Sequence, residues 1–275
     1  MKQVAEPIVR APILAIMIFQ VAALFARAYL EIRLMDGGEP KPFAQDLSYL
    51  VVPPILIILM YPILRRHWSF LRALLRKQDL TIKLIALSVL LGFTLRVSFW
   101  GGLISFTSFG VLRSSDPDAV AGPVVSLGCP DPGVLALSFL VVSFLIPVIE
   151  EIVNRGLILQ SLLHHGRVIA VLLTSVLFAV MHDPQAILVS FIGGLFFAAL
   201  MLKYNTLWAP MIAHATYNGV AVLDWECVSG QWNPTQTTSE IPVVGIIGSA
   251  VFVVGLLSSI LLIRNREHRG TEVPR

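Results

Sequence analysis

"IPVIEEIVNRGLILQ", residues 146–160, places Glu150, Glu151 and Arg155 inside a run of isoleucine, valine and leucine that otherwise reads as one helix crossing a lipid bilayer. Ionisable side chains within a span cost roughly 2.5–3.5 kcal/mol each on insertion scales, so two adjacent glutamates there point to a function. Glu151 and Arg155 are four apart and share a helix face, with the acid preceding the base, the favoured order for an ion pair. Glu150 is turned about 100° away from Glu151 and has no local partner. An unpaired carboxylate in a low-dielectric site suits a general base working near neutral pH. The same three charges also suit a buried network that only holds helices together. The stretch alone leaves both readings open.

The remainder of the chain establishes the lipid setting. Of 275 residues, 56% are hydrophobic and 13% charged, and the mean hydropathy is +0.80, outside the range of ordinary soluble domains. A hydrocarbon core of about 30 Å takes roughly 20 apolar residues per helix. About eight such stretches are present, at 11–30, 47–64, 83–105, 134–153 (continuing towards 165), 168–182, 186–202, 206–224 and 242–263. The expected fold class is all-α, a polytopic membrane protein with about eight transmembrane helices; the runs are too long and too uniformly apolar for barrel strands. With no internal repeat and no linker of soluble-domain length, residues 1–275 read as a single membrane domain. The first segment lacks a small-residue cleavage site and is followed by Arg27, Glu31 and Arg33, so it reads as a retained helix.

Lysine and arginine gather in the segments that face inside when both ends of the chain are cytoplasmic: Lys2, Arg10, Arg65, Arg66, Arg72, Arg76, Lys77, Lys83, Arg167, Lys203, Arg264, Arg266, Arg269 and Arg275. The intervening loops hold Arg33, Lys41 and Arg113. That bias predicts an N-in, C-in topology. The net charge of +3 gives no case for nucleic-acid binding, because no basic patch carries interleaved aromatics. Residues 65–80, "RRHWSFLRALLRKQDL", alternate basic and apolar residues at helical spacing, as in a helix lying on the inner membrane surface with its arginines among phosphates. Cys129 and Cys227 both fall in the outer loops 106–133 and 225–241. They form either a disulfide, if that side is oxidising, or two separate thiols.

Two further polar signals lie downstream. "LFAVMHDPQ", 177–185, ends an apolar helix at His182 and starts the next with Asp183-Pro184, which reads as an N-cap and first turn. If the chain reverses at His165-Gly166-Arg167, Glu150 and His182 are both sixteen residues from Gly166 and are expected at equal depth. "MIAHATYNGV", 211–220, sets His214 and Asn218 four apart on one helix face.

Glu150-Glu151-x-x-x-Arg155, then Phe178-x-x-x-His182, then His214-x-x-x-Asn218, in that order on successive apolar helices, resembles the CAAX protease and bacteriocin-processing family, which includes the type II CAAX prenyl endopeptidases and many bacterial relatives. The resemblance covers roughly residues 134–224 and implies a helical catalytic core there. It implies an intramembrane endopeptidase in which Glu150, assisted by His182, polarises water and later protonates the leaving amine. His214 and Asn218 would donate hydrogen bonds to the oxyanion, and Glu151 and Arg155 would orient them. No cofactor is required by that scheme. Zinc held by Glu150, His182 and His214 is the alternative; it is disfavoured because no His-Glu-x-x-His helix is present and Asn218 is a poor zinc ligand.

The implied partners are the bilayer and a membrane-anchored protein or peptide substrate, and the implied location is a bacterial inner membrane. The charge bias sets His182 towards the outer half of the membrane, where a cytosolic CAAX tail does not reach. A membrane-anchored sorting tail or a secreted peptide is then the expected substrate. Two competing readings are a non-proteolytic scaffold of bacteriocin-immunity type and a proton-coupled carrier. The carrier predicts duplicated halves with broken helices, and no duplication is evident.

Overall fold

In the computed structural model, residues 9–113, 122–127, 129, 131–233 and 241–264 are described. Lys2, Arg266, Arg269 and Arg275 of the charge pattern, and parts of the loops 106–133 and 225–241, lie outside these. The described chain is helical apart from one two-stranded antiparallel ladder. The helices are α1 (Ile13–Asp36), α2 (Lys41–Tyr49), α3 (Val52–Leu74), α4 (Ile82–Arg113), α5 (Pro132–His165), α6 (Arg167–Ala179), α7 (Ile187–Tyr204), α8 (Trp208–Cys227) and α9 (Ile241–Arg264). The strands are β1 (Gly122–Leu127) and β2 (Val228–Asn233), paired from Gly122 opposite Asn233 to Leu127 opposite Val228.

Six helical stretches are long and apolar enough to cross a membrane, belonging to α1, the α2–α3 run, α4, α5, α7 and α9. Large apolar side chains such as Leu14, Phe25, Ile58, Phe144 and Val254 point outward. Such a surface is stable in hydrocarbon and would aggregate in water. The chain is an integral membrane protein.

The helix carrying the glutamates is not uniform. Residues 139–145 and 152–158 form wide π-helical turns, in which the N–H of Ile146 donates to Val141 O and that of Leu159 to Asn154 O, five residues back. Pro147 contributes to the first widening, since it has no N–H and its ring crowds the carbonyl of Ser143. The segment Ile146–Glu151 between them is ordinary α-helix. The chain then reverses at Gly166, whose φ of +97° is glycine territory.

Hydrogen bonds gather one set of helix ends onto a common face. Ala11 N–H donates to Ser161 Oγ, Thr206 Oγ1 and Leu207 N–H to Leu74 O, Trp208 Nε1 to Arg76 O, and Lys203 Nζ to Leu262 O. This face carries the basic residues, in agreement with the charge pattern. The 65–80 segment departs from expectation: residues up to Leu74 continue α3 as one helix from Val52, with Leu71 and Leu74 buried and Arg65, Arg66 and Arg72 exposed, instead of forming a separate helix on the membrane surface. Burial of the Leu71 and Leu74 stripe against the bundle outweighs adsorption to headgroups.

The two cysteines form a disulfide, Cys129–Cys227. It joins the chain just before α5 to the last residue of α8, beside the β1–β2 ladder, at the end of the bundle opposite the basic face. Helices meet closely through small residues: a Cβ at Gly92 of α4 would collide with the carbonyl oxygen of Ala213 in α8. Gly92→Leu is expected to push α8 outward, lowering stability by about 1–3 kcal/mol. A thermal unfolding series in detergent checks this, and an unchanged midpoint would count against the close packing.

Candidate active site

Glu151 and Arg155 are wholly buried, and their ion pair is 3.1 Å long. Arg155 is further held by Gly194 O of α7, which accepts from Nη2 at 3.3 Å, and by the ring of Phe178 in α6, whose centroid lies 4.4 Å from the guanidinium carbon. A Cβ at Gly194 would lie 3.1 Å from Ser175 Cβ, so α6 and α7 touch where the arginine docks. A buried charge needs such compensation from several directions.

His214 of α8 is the centre of the arrangement. Its Nδ1 lies 2.9 Å from Glu151 Oε1 and its Nε2 3.7 Å from Glu150 Oε2. A carboxylate oxygen accepts, so Nδ1 carries a proton, and Nε2 faces Glu150. The ring stacks on Phe197 at 4.8 Å and meets the edge of Phe178 at 5.7 Å, which fixes its plane. Glu150 differs from Glu151 in keeping a quarter of its side chain exposed. It is the carboxylate of the pair that solvent or a substrate can reach.

His182 lies just beyond α6 in the turn towards α7. Its Nδ1 is 2.8 Å from Phe178 O, and its ring packs edge-on to Phe178 at 4.6 Å. The carbonyl can only accept, which leaves Nε2 as the free basic nitrogen. Among the described residues no hydrogen bond or ion pair joins Glu150 to His182; Glu150 meets His214. The glutamates lie between the two π-helical turns of α5. Asp183 precedes a short 3₁₀ turn, Pro184–Ala186, but its side chain makes no capping bond.

Asn218 projects from the same face of α8 as His214. Its Nδ2 donates to Val142 O at 3.0 Å, within the first π-helical segment of α5. The second N–H of that amide is not engaged by this bond. Thus Glu150, Glu151, Arg155 and His214 form one contact network, Asn218 adjoins it through α5, and His182 joins it through Phe178.

Sequence reasoning passed over several supports. Asn154 donates from Nδ2 to Glu150 O at 2.8 Å, and its own carbonyl accepts from Thr174 Oγ1 at 3.2 Å, tying the glutamate turn to α6. An asparagine inside the quoted apolar run was the available signal. Phe197 and Gly194 gave none beyond their type. Asp46 of α2 accepts from Ser138 Oγ and anchors α2 to α5.

The three side chains considered for zinc are not gathered: among the described residues no cluster of three His, Cys, Asp or Glu has metal-holding geometry.

Comparison with known proteins bears on residues 132–220, which match the family model described as "Type II CAAX prenyl endopeptidase Rce1-like". No curated protein matches the chain, and no solved structure does. The matched stretch runs from the start of α5 into α8 and contains every residue of the network above.

Proposed function

Since residues 132–220 make this chain a member of the Rce1-like type II CAAX prenyl endopeptidase family, we propose that it is an intramembrane endopeptidase using a glutamate-activated water. The observation that carries the proposal is His214 held between two glutamates, with Glu151 on Nδ1 at 2.9 Å and Glu150 beside Nε2 at 3.7 Å. The longer distance exceeds a direct hydrogen bond but lets one water oxygen bond to both groups.

Glu150 accepts a proton from that water as its oxygen adds to the scissile carbonyl. The tetrahedral oxyanion takes hydrogen bonds from the second N–H of Asn218 and from Nε2–H of His214, which in this scheme keeps a proton on each ring nitrogen, between the two glutamates, from start to finish. Collapse of the intermediate breaks the C–N bond, and Glu150 returns its proton to the leaving amine, giving a carboxylic acid and an amine. His182, with Nε2 free, assists the proton transfer from the substrate side. Glu151 and Arg155 position His214 without touching substrate. No step requires a metal.

In this reading the bundle has eight spans. α6 and α8 complete the six that qualify by length and hydropathy, and both ends of the chain face the cytoplasm of a bacterial cell. Glu150→Gln and a chelator serve as tests in reconstituted vesicles, against lipidated CAAX peptides and single-span C-terminal tails. Cleavage lost with the substitution and indifferent to chelator is the expected pattern. A substituted protein that cuts as well as wild type would remove Glu150 from the chemistry, and a wild type that cuts no member of the panel would leave only a binding scaffold. Asn218→Ala is expected to lower kcat by about 10²–10³-fold, the usual cost of one oxyanion donor, with KM little changed. A change confined to KM would assign Asn218 to substrate binding.

A further inference from the structure

Tyr49, the last residue of α2, lies outside the stretch that matches the family model and takes no part in the mechanism above. Helix α2 packs along residues 132–145 of α5, and the bond from Ser138 Oγ to Asp46 fixes it there. Asp46 and Tyr49 are three apart, so Tyr49 sits on the same face of α2, one turn further along. Its ring is half-buried against the core of the bundle. Tyr29 and Tyr61, by contrast, are exposed on the outside of their helices.

Arg27 of α1 lies over the Tyr49 ring, with its guanidinium carbon 3.7 Å from the centroid, and is itself held by Glu31 at 3.0 Å. A cation over one face pins the plane of the ring. Besides Arg27 and Glu31, the charged groups near enough to act on the phenol are Glu150 and Asp183. The hydroxyl therefore lies where α2, the glutamate segment of α5 and the turn after His182 come together. Among the described residues it makes no hydrogen bond, and it is not one of the polar atoms shut off in the interior. A phenol is neutral at pH 7 and can donate. An unused donor beside the exposed glutamate, on a ring already held in place by a cation, is preorganised to bind.

We infer that Tyr49 is a substrate-binding residue of the active site, whose hydroxyl donates a hydrogen bond to a backbone carbonyl of the peptide segment lying against Glu150. The substrate contact rests on the endopeptidase reading above; the placement of the hydroxyl beside Glu150 does not. An extended peptide brings carbonyls with no partner of their own, and each needs a donor once it leaves water. His214 and Asn218 of α8 serve the scissile carbonyl, and Tyr49 serves a neighbouring one from the side of α2. That neighbouring carbonyl does not change during the reaction, so the contact is equal in the bound substrate and the transition state. Arg27 and Glu31 position the ring without touching substrate.

The test uses the full chain in reconstituted vesicles with the panel of lipidated CAAX peptides and single-span tails. Tyr49→Phe keeps the ring under Arg27 and removes only the hydroxyl. KM is expected to rise about 3–10-fold, the loss of one neutral hydrogen bond, with kcat and the thermal midpoint unchanged. An unchanged KM overturns the contact, and so does a lowered midpoint with KM held, which would make Tyr49 a packing residue only. The placement has its own readout. The two cysteines of the sequence are joined as Cys129–Cys227, so Tyr49→Cys adds the only free thiol. In detergent that thiol is expected to react with a small water-soluble methanethiosulfonate, and more slowly when the protein also carries Glu150→Gln and a panel peptide is bound. A thiol that reacts only after denaturation overturns the placement. Labelling as expected with no panel member cut by wild type overturns the endopeptidase reading, and the substrate contact with it, while the placement stands.

Discussion

Glu150→Gln is expected to reduce kcat/KM by about 10³-fold or more while leaving the folded protein intact, because general-base assistance contributes typically 10²–10⁴-fold. Glutamine preserves the volume and polarity of the side chain but cannot accept the water proton or return it to the amine. The structural cost is small. Glu150 keeps a quarter of its surface exposed, and its recorded side-chain partner, His214 Nε2, stands 3.7 Å away. The paired measurement is cleavage rate and thermal midpoint on the same preparation. Retention of activity to within tenfold would remove Glu150 from the chemistry.

Glu151→Gln makes the instructive contrast. That carboxylate is fully buried and serves Arg155 and His214 through one oxygen, so its loss is expected to lower the thermal midpoint as well as the rate.

The second large effect concerns stability. Arg155→Met is expected to cost about 3–5 kcal/mol, the usual consequence of removing one partner of a buried ion pair. Glu151 would keep its charge without the guanidinium at 3.1 Å. Gly194 O would lose its donor, and Phe178 the cation packed over its face. Unfolding in detergent reads the loss directly. The pair Arg155→Met with Glu151→Leu separates two contributions: stability should largely return, because the buried ion pair is removed as a whole, while cleavage should stay low, because His214 Nδ1 has lost the carboxylate that holds the ring in place. A double-mutant cycle that came out additive would show that the two residues are not coupled. Full activity in the double variant would show that His214 needs no orientation from Glu151.

Much of the fold was legible from patterning alone. Long apolar runs can satisfy their backbone in lipid only as helices, and the basic residues fall where the helix ends share one face. The Glu151–Arg155 pair followed from a spacing of four. The reversal at Gly166 followed from a glycine between two runs. The candidate site was legible as a set of residue types: Glu150, Glu151, Arg155, His182, His214 and Asn218 all stood out as polar groups in an apolar sequence.

What the set does internally was decided by tertiary structure. Counting from Gly166 sets Glu150 and His182 at one depth but names no partner for either. The π-helical turns at 139–145 and 152–158 interrupt the regular register of α5, and the packing of α8 supplies His214 as the neighbour of Glu150. No local periodicity encodes such a turn, because it depends on what the neighbouring helices offer the displaced carbonyls; Val142 O, for example, is met by Asn218. Likewise, the cysteine spacing left pairing open until β1 and β2 brought the two loops together, and the basic 65–80 stretch read as a surface helix until Leu71 and Leu74 were seen buried in the bundle. Sequence by itself determined the membrane setting, the helices and the chemical types available, because hydrophobicity and helical spacing act within one segment. Which groups meet was left to helix register and packing, because a contact between segments depends on the position of both.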